Sequence, residues 1–545
     1  MFDGLLDGQY DADMHLHRPG ALRVHWIALT ALLLALAALL LAIPVTSRAL
    51  PIEYLPVGHA AYDEIETLAA LGKLRNLNIY SRPLARTDIA AALLLARRRE
   101  PLITGNINYQ RLAREFAREI IDLGGPPEPP ESPLLYDTGA PERRARVSVA
   151  GHLRGDYDET RDAAHFRLRD ESSLTLRGSL QIWPAFAAYE EFGITRIRGQ
   201  RLFIDAIALN SDIETTVMRA GLTARTGPLS VAAGYDRFRW GPGRRGTLLL
   251  SDAAGPLTFL SLTGSFDGWL TATALSGVLS RADHRYLAAH RVEFTDSGWL
   301  SIGLSEAVRY RSDGIDLLYA TGLIPYAIVE RIHIRDAATD SVRGLERANV
   351  MVSLDALVRV SPDLTLYGEL LLDDLATENR DMPDRLAYQF GLRSDRPYGP
   401  DRTAHLLAEY TRVRRFTYAT EYAQDFIHRG RPLGFALGPD VETVWLEVGL
   451  DLSRGWKARW SGEFTNQGEG YLGESWQTGM GSGSNAGLFG VVEKRREVWG
   501  DLGWMPRDRL DVSAGLGFRS IENERHAEGV TRSAWLARLA LDVRY

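Results

Sequence analysis

The 545-residue chain contains no cysteine. Disulfide bonds, thiolate metal sites, cysteine nucleophiles and a lipid anchor on a cysteine are therefore excluded. The chain also lacks an excess of basic residues, because 63 Lys and Arg face 70 Asp and Glu and the formal charge is −7. This composition provides no argument for a nucleic-acid partner, since a nucleic-acid surface must neutralise many phosphates.

Only one long apolar run occurs, and it covers residues 26–45. Two arginines precede the run, and Ser47-Arg48-Ala49 follows it as a small-x-small cleavage pattern. This order predicts a secretory signal peptide over residues 1–49 that is cleaved after Ala49. An uncleaved helical anchor is the alternative, since the run is long enough to cross a bilayer. No later segment has ~18 consecutive apolar residues, which excludes a helical multi-span protein.

A small helical domain is predicted over residues 50–124. Apolar residues recur at helical spacing from Tyr62 to Ala69, which indicates a first helix. Thr87-Asp88 offers N-cap chemistry for a second helix, and a third helix is predicted over residues 109–123. Residues 125–143 begin with Gly-Pro-Pro-Glu-Pro-Pro, so we expect a Pro-rich linker between the helical domain and the next domain. The helical domain should lie on the periplasmic side of that next domain.

From residue 144 to the C-terminus the apolar residues recur with a period of two. The last hundred residues show this best, in alternating segments at residues 443–452, 455–464, 498–504, 510–519 and 535–545. One face of these segments carries no charge, while nearly every charge lies on the other face. Because successive side chains of a strand point to opposite faces, the pattern predicts strands with one apolar and one polar face.

This alternation is typical of a membrane β-barrel. A charge that faces hydrocarbon costs ~2–4 kcal/mol at mid-bilayer, whereas a wet lumen tolerates it. A soluble sandwich or barrel is the alternative, and its apolar face would be the inner one. Aromatic residues at the strand ends and the terminal Tyr545 favour the membrane interpretation. Because every backbone polar group in lipid needs a partner, the sheet must close on itself.

The predicted connections alternate between short and long. Tight turns at residues 453–455 and 505–508 separate strands whose other ends are joined by long loops at residues 465–496 and 521–531. Short periplasmic turns and long outer loops are typical of outer-membrane barrels. We therefore expect an all-β transmembrane barrel of roughly 16–18 antiparallel strands over residues 144–545.

Motifs for catalysis and cofactor binding are scarce. Residues 241–246 match G-x-G-x-x-G, but Pro242 has no N–H and no amphipathic helix follows, so no dinucleotide site is expected. The chain has no G-x-S-x-G and no H-E-x-x-H, and its twelve histidines lack metal-ligand spacing. We therefore expect no enzyme, no metal and no cofactor. A hydrolase whose catalytic residues meet across strands is the alternative.

The most distinctive segment is YDRFRWGPGRRGTLLLSDAAGP at residues 235–256. It follows a strand that should climb from a tight turn at Gly227-Pro228 towards the outer side. Guanidinium groups offer forked donors to carboxylates, and an indole face packs against sugar rings. The predicted site for an acidic polysaccharide, in or above the lumen, is therefore Arg237, Arg239, Trp240, Arg244 and Arg245.

A structural role for these arginines is the alternative. In that case they would pair inside the lumen with carboxylates whose position in the alternating pattern also points inward. The candidates for such lumen carboxylates are Glu369, Asp373 and Glu409.

The stretch WGPGRRGTLLLSDAAGP resembles the signature of the Wzi-type capsule-assembly outer-membrane proteins. Residues 367–375 (YGELLLDDL) and the helical stretch at residues 65–89 resemble other recurring segments of that family. The resemblance implies a barrel of about eighteen strands with a helical bundle at its periplasmic mouth. It also implies a non-enzymatic lectin that helps to assemble or retain capsular polysaccharide on the surface of a Gram-negative cell.

We therefore expect a protein of the outer membrane that binds capsular or extracellular polysaccharide. Outer-membrane lipids and the barrel-assembly machinery would be its other partners, and no nucleic acid is expected. A porin or polysaccharide exporter with an open lumen is the first alternative function. An outer-membrane hydrolase is the second.

Overall fold

The computed structural model of the protein describes most of the chain that follows the predicted signal peptide. The described residues are 53–127, 136–137, 144–159, 168–183, 185–197, 207–208, 213–266, 268–296, 298–339, 348–374, 382–399, 402–420, 424–452, 455–477, 480–481, 483, 486–507 and 510–544. The predicted signal peptide with its cleavage position Ala49, most of the predicted linker and Tyr545 lie outside these residues.

Eighteen antiparallel strands form one closed barrel, which confirms the predicted fold class. Each strand pairs with the next one along the chain, and the last pairs with the first through Leu541 and Leu153. In chain order, strands β1 to β18 are Arg144–Asp158, Leu168–Trp183, Phe186–Ile197, Ile213–Thr226, Leu229–Asp236, Leu257–Phe266, Leu270–Ser280, Arg285–Asp296, Leu300–Arg311, Asn349–Ser361, Leu364–Asp374, Arg385–Gly399, Arg402–Val413, Val441–Asp451, Trp456–Gln467, Glu493–Arg507, Leu510–Glu522 and Thr531–Arg544.

The connections between strands alternate in length, as predicted. At one end of the barrel, the short-turn end, two to four residues join successive strands. At the other, the long-loop end, the connections have between four and 37 residues. The turn predicted at residues 505–508 is misplaced, because β16 continues through Arg507 and β17 begins at Leu510. Backbone pairing with β17 extends that strand beyond the point at which its Pro suggested a turn.

The outer face of the wall is apolar and exposed. Leu516, Trp535 and Leu539 are 68%, 63% and 59% exposed, although they belong to strands that are paired on both sides. The inward neighbour Gly515 is buried. Near the short-turn end, the rings of Trp456 and Trp504 stack with centroids 5.6 Å apart, which is the expected position of an aromatic girdle. This surface fits a lipid environment, because water would solvate such a belt poorly.

The helical domain comprises residues 53–127. Its helices are α1 (Ala61–Ala70), α2 (Arg86–Arg99), α3 (Ile107–Glu115) and α4 (Ala117–Asp122). Ile65, Ile89, Leu93, Leu112 and Phe116 are buried between them and form a separate apolar core. No described helix is long and apolar enough to cross a membrane.

Two details of the helix predictions are wrong. Helix α2 is not capped by Thr87-Asp88, because its N-cap is Ala85, which makes no side-chain cap bond. Asp88 binds Arg225 of β4 instead, at 2.5 Å. The third predicted helix begins earlier, after the N-cap Asn106, and is interrupted at Phe116 between α3 and α4.

The helical domain packs into the short-turn end of the barrel. The amide of Asn78 donates to the hydroxyl of Thr271 at 2.6 Å, next to the turn between β6 and β7. On other sides of the wall, Arg144 binds Asp122 at 2.8 Å and Arg393 binds Glu66 at 2.9 Å. Contacts on several sides of the wall hold the domain in the mouth of the barrel.

Two long loops fold into the lumen from the long-loop end, and we call them the inward loops. The first consists of residues 237–256, and the described parts of the second are residues 414–420 and 424–440. The Tyr418 hydroxyl donates to the Leu248 carbonyl at 2.6 Å, and Ser251 N–H donates to the Leu433 carbonyl at 2.8 Å, so the loops bind each other. Their apolar residues create a buried core inside the barrel that includes Phe238, Trp240, Leu248, Leu249, Leu250, Tyr418, Phe426, Leu433 and Phe435.

A third long loop, residues 312–348, contains the helices α5 (Leu317–Ala320) and α6 (Tyr326–Thr339). The expectation that the period of two continues unbroken from residue 144 to the end is therefore wrong. Glu306 of the neighbouring strand explains the local start of α6, because its carboxylate accepts the N–H groups of Tyr326 and Ala327. A buried helix N-terminus needs such acceptors, because the first N–H groups of a helix have no partner within it.

Candidate functional site

The strand β5 ends at Asp236, and the chain then turns back into the lumen instead of rising above it. Arg239 and Trp240 pair as a short ribbon with Ser81 and Arg82 of the helical domain. Trp240 is 2% exposed and belongs to the apolar core between the inward loops. Its indole ring is therefore enclosed by protein, and it presents no open face to a sugar.

Arg239 and Arg244 are bound within the protein. Arg239 donates to the backbone carbonyls of Gly243 and Arg244. The Arg244 guanidinium binds Asp63 at 2.6 Å and Glu66 at 3.3 Å, both on α1. Arg244 thus joins the inward loop to the helical domain, which is a structural role of the kind that the sequence left open.

The Glu66 carboxylate is the centre of this contact. It binds Arg82, Arg244 and Arg393, so that the helical domain, an inward loop and the wall meet at one side chain. Burial would raise the pKa of Glu66, but these guanidinium groups lower it to about 2. Glu66 is therefore ionised at neutral pH and holds three basic groups together.

Arg245 is more accessible to solvent than its neighbour Arg244. Its side chain is 45% exposed, and it binds Glu463 of β15 at 2.5 Å. Its guanidinium also lies 4.1 Å from the centre of the Trp445 ring. This position allows a contact with a ligand in the lumen, although a carboxylate and an aromatic ring already engage the side chain.

The three predicted lumen carboxylates bind backbone N–H groups of the inward loops. Glu409 accepts from the N–H groups of Arg244 and Arg245 at 2.5 and 3.0 Å. Glu369 accepts from those of Leu248 and Leu249 at 3.1 and 3.3 Å. Asp373 accepts from Tyr418 N–H at 2.6 Å. These carboxylates therefore hold the loop backbone, whereas the guanidinium groups of Arg244 and Arg245 pair with other acids.

Arg237 lies in a different environment, a charged cavity of about 600 Å³ between the wall and the inward loop. The strands β1 to β4 form one side of this cavity, and the helical domain closes its base. Nine arginines line it: Arg86, Arg114, Arg118, Arg146, Arg177, Arg219, Arg237, Arg429 and Arg431. Seven carboxylates also line it: Glu53, Glu115, Glu119, Glu191, Asp236, Asp511 and Asp542.

Several of these charges neutralise each other in the wall. Arg219 binds Asp236 at 3.1 Å, and Arg177 binds Glu191 at 3.1 Å. Within the described part of the chain, in contrast, no carboxylate pairs with the guanidinium of Arg237 or Arg431. The Nε of Arg237 is buried and has no hydrogen-bond partner among these residues. A buried donor of this kind is costly unless a ligand or solvent satisfies it.

An aromatic ring accompanies these two arginines. Tyr235 lines the same cavity, and Arg429 donates to its hydroxyl at 3.1 Å. A phenol ring next to guanidinium groups can pack on a sugar ring while the guanidinium groups bind its carboxylate. The cavity thus has the groups that recognition of an acidic sugar requires.

The sequence prediction included Arg237 but missed its partners. Arg429 and Arg431 flank the turn at Gly430 in the HRGRP stretch, which lies about 190 residues further along the chain. The arginine-glycine-arginine pattern was a local signal for a basic turn. Its proximity to Arg237 arises only because both inward loops enter the same lumen.

The described residues show no arrangement for metal chemistry. They contain no group of three or more His, Cys, Asp or Glu side chains that could hold a metal ion. Instead, the arrangement described above can bind charged ligands through hydrogen bonds and ion pairs.

Comparison with known proteins identifies the family. The profile of the family described as "Capsule assembly protein Wzi" matches residues 149–535, most of the chain. Among solved structures, the chain is similar to Wzi of Escherichia coli, described as an outer membrane protein involved in group 1 capsule assembly and a carbohydrate-binding β-barrel. The identity is 13%, the match covers 90% of this chain and 99% of that chain, and the TM-score is 0.61.

Other solved barrels show weaker similarity. OccK1 (OpdK) of Pseudomonas aeruginosa is 12% identical over 74% of this chain and 98% of that chain, with a TM-score of 0.41. OccD3 (OpdP) of the same organism is 11% identical over 76% and 93% of the two chains, also with a TM-score of 0.41. No curated protein matches the chain.

The lipid-facing wall and the closed barrel identify an outer-membrane protein, as predicted. The family profile spans nearly the whole barrel, and the solved Wzi barrel has the same fold over almost its entire length. The chain therefore belongs to the Wzi family of capsule-assembly outer-membrane proteins.

Proposed function

We propose that this protein is a non-enzymatic lectin that helps to assemble or retain capsular polysaccharide on the cell surface. Membership of the Wzi family supports this function. The filled lumen also favours it over a porin or an exporter, because the inward loops and the helical domain occupy the space that a wide pore would need. Binding of lipids and of the barrel-assembly machinery remains part of the same proposal.

The cavity next to β1–β4 is the proposed binding site, and an acidic sugar is the proposed ligand. Arg237 and Arg431 carry this assignment, because they face the cavity without a carboxylate partner among the described residues. An anionic sugar would provide the missing acceptor, and Tyr235 would pack against the ring. Of the other predicted site residues, Arg245 is the one whose side chain is substantially exposed.

Glycan binding by purified variants tests this proposal. We expect Arg237→Ala combined with Arg431→Ala to weaken binding of a uronic-acid oligosaccharide. Loss of one charge-assisted bond of ~1.5–3 kcal/mol corresponds to binding that is about 10- to 100-fold weaker. Lys replacements should restore only part of it, because an ammonium lacks the planar fork. Arg402→Ala, an exposed arginine outside the cavity, is the matched control.

The result in cells should agree with the result in solution. The double Ala variant should release capsule into the medium at a normal surface level of protein. Equal binding by the wild type and the double variant would remove the cavity from the proposal. If neither form binds any charged or neutral oligosaccharide but both conduct ions in planar bilayers, the porin function would be correct instead. Release of reducing ends from the oligosaccharide would indicate a hydrolase.

A further inference from the structure

The loop with α5 and α6 lies on the outside of the barrel. On β8 and β9 the outward positions near the short-turn end are open, and Val292 and Leu304 are 46% and 54% exposed. Further along the same face, towards the long-loop end, Ala288 and Val308 are fully buried. The buried outward positions lie beneath residues 312–333, which we call the outer flap.

The contacts of these outward positions show what covers them. The rings of Tyr310 and Tyr319 stack 4.7 Å apart, and the ring of Tyr326 lies 4.5 Å from that of His290. Tyr319 and Tyr326 belong to α5 and α6, whereas Tyr310 and His290 belong to the wall. Together with Val329 of α6, these rings form an apolar cluster on the outer side of the sheet.

The flap also shields a polar pair that would otherwise face lipid. His290 Nε2 lies 3.1 Å from a carboxylate oxygen of Glu306, and both side chains project from the outward face. The same carboxylate accepts the N–H groups of Tyr326 and Ala327 at 2.9 and 3.3 Å. An acid on a lipid-facing wall is unfavourable, but here α6 covers it and supplies its hydrogen bonds.

The depth of the flap follows from the strand register. A strand tilted by ~40° rises about 2.5 Å per residue along the barrel axis. Counted from Trp299 at the short-turn end, Glu306 is therefore ~18 Å and Tyr310 ~28 Å along the axis. Because the apolar band of such a barrel is ~25 Å tall, the flap covers its outer part and its outer edge.

The large apolar side chains of the flap are exposed on its outer surface, where Asp313 and Arg331 are exposed as well. Leu317, Leu323 and Ile328 are 46%, 85% and 51% exposed. They continue the exposed apolar surface of the wall, to which Val292 and Leu304 belong, towards the long-loop end. An apolar surface at this depth and continuous with a lipid-facing wall faces the same hydrocarbon.

We propose that the outer flap is a lipid-binding element that lies in the outer leaflet and contacts its acyl chains in place of the strands beneath it. Its aromatic and carboxylate contacts attach it to the wall, and its exposed leucine and isoleucine side chains enter the hydrocarbon. The flap would widen the barrel locally in one leaflet only. The proposal does not depend on glycan binding.

Site-directed spin labelling tests this proposal, and the absence of cysteine makes single labels straightforward. Leu323→Cys and Ile328→Cys would carry a nitroxide in the full-length protein, reconstituted in vesicles of phosphatidylethanolamine and phosphatidylglycerol. Leu304→Cys on the lipid-facing wall and Leu102→Cys, at the 87% exposed residue of the helical domain, are the controls. We expect both flap labels to collide frequently with oxygen and rarely with a water-soluble nickel complex, as the Leu304 label does.

Two results would overturn the proposal. Nickel accessibility equal to that of the Leu102 label would place the flap in water. Low accessibility to both reagents, with dipolar broadening between labels, would show that a second copy of the chain covers the flap. A label at Leu317 provides an independent third position, and a heat-modifiable band on gels confirms that each variant has assembled.

Discussion

Two long loops leave the same end of this barrel and settle on opposite sides of its wall. Residues 237–256 fold into the lumen, and residues 312–333 cover part of the outside. Both loops contain apolar and charged residues, so composition alone does not distinguish them. The two loops differ in which face of the wall presents the carboxylates that accept their backbone N–H groups.

Both loops are bound to the wall by the same kind of interaction, in which a wall carboxylate accepts backbone N–H groups of the loop. Glu409 and Glu369 each accept two consecutive backbone N–H groups of the inward loop, and Glu306 accepts two from the first turn of α6. A carboxylate that accepts N–H groups forms strong bonds and orients the segment that supplies them. In each case the carboxylate lies on the same face of the wall as the loop whose N–H groups it accepts.

The loops also differ in their contacts on the side that faces away from the wall. The inward loop also binds the helical domain through Arg244 and the ribbon at Trp240. Among the described residues, the outer flap contacts the wall, His284 in the adjacent connection and Ala348 at the end of its own loop, and leucine and isoleucine side chains on its far side are exposed. The inward loop is thus fixed by protein on both sides, whereas the proposed partner of the flap is lipid.

Deletion of residues 55–124 should have the largest effect. It removes the helical domain from the short-turn end, so we expect an assembled barrel with higher conductance in planar bilayers. Protease access to residues 237–256 should also rise, because Arg244 loses Asp63 and Glu66. Cleavage at residues 312–333 should not change. Unchanged conductance would mean that the inward loops alone close the lumen.

Ala514→Arg tests the two faces of the wall directly. Ala514 is exposed on the outward face. An arginine there, near mid-bilayer, should destabilise the folded barrel and lower its free energy of unfolding by ~2–4 kcal/mol. Ser513→Arg places the same charge on the opposite face, where the lumen tolerates it. Urea-induced unfolding in lipid vesicles measures both. Equal losses for the two variants would contradict the assignment of faces.

Glu409→Ala and Glu306→Ala compare the two loop contacts. Each variant leaves two backbone N–H groups without an acceptor, at ~1–3 kcal/mol for each group that stays buried. Hydrogen exchange should increase at residues 244–249 in the first variant and at residues 326–333 in the second. The Gln variants, which keep one acceptor oxygen, should lose less. Faster exchange in both segments of either variant would show that the loops are coupled.

Acid should produce the smallest effect, a weakening of the contacts that Glu66 and Glu119 make with arginines. The pKa of Glu66 is about 2, because three arginines outweigh the effect of burial. The pKa of Glu119 is also about 2, because Arg86 and Arg146 outweigh burial there. Groups with lowered pKa values stabilise the folded state above their ordinary pKa, here 4.5, and this stabilisation is lost as the pH falls towards 2.

The measurement is tryptic release of the helical domain after brief exposure to pH 7, 4.5 and 3. We expect release to increase between pH 4.5 and 3, and Glu66→Gln should reduce that increase. Release that is independent of pH over this range would exclude these carboxylates as the contacts that hold the domain.

The alternation of apolar residues was sufficient to predict the barrel. In strands such as β14, β15 and β17, lipid permits no charge on the outward face, so the period of two is strict and readable. The alternation of loop lengths followed from the same pattern. Helix starts were less predictable, because Ala85 can precede α2 when wall contacts such as Asp88 with Arg225 stabilise its first turn.

The sequence by itself thus determined the class of fold, the faces of the strands and the importance of the segment at residues 235–256. The tertiary structure decided how that segment is used. Arg244 pairs with Asp63 and Glu66, which are about 180 residues away in sequence, and Arg237 shares a cavity with Arg431. Ion pairs and cavities depend on distances of a few ångströms, and local periodicity cannot report which distant segments come that close.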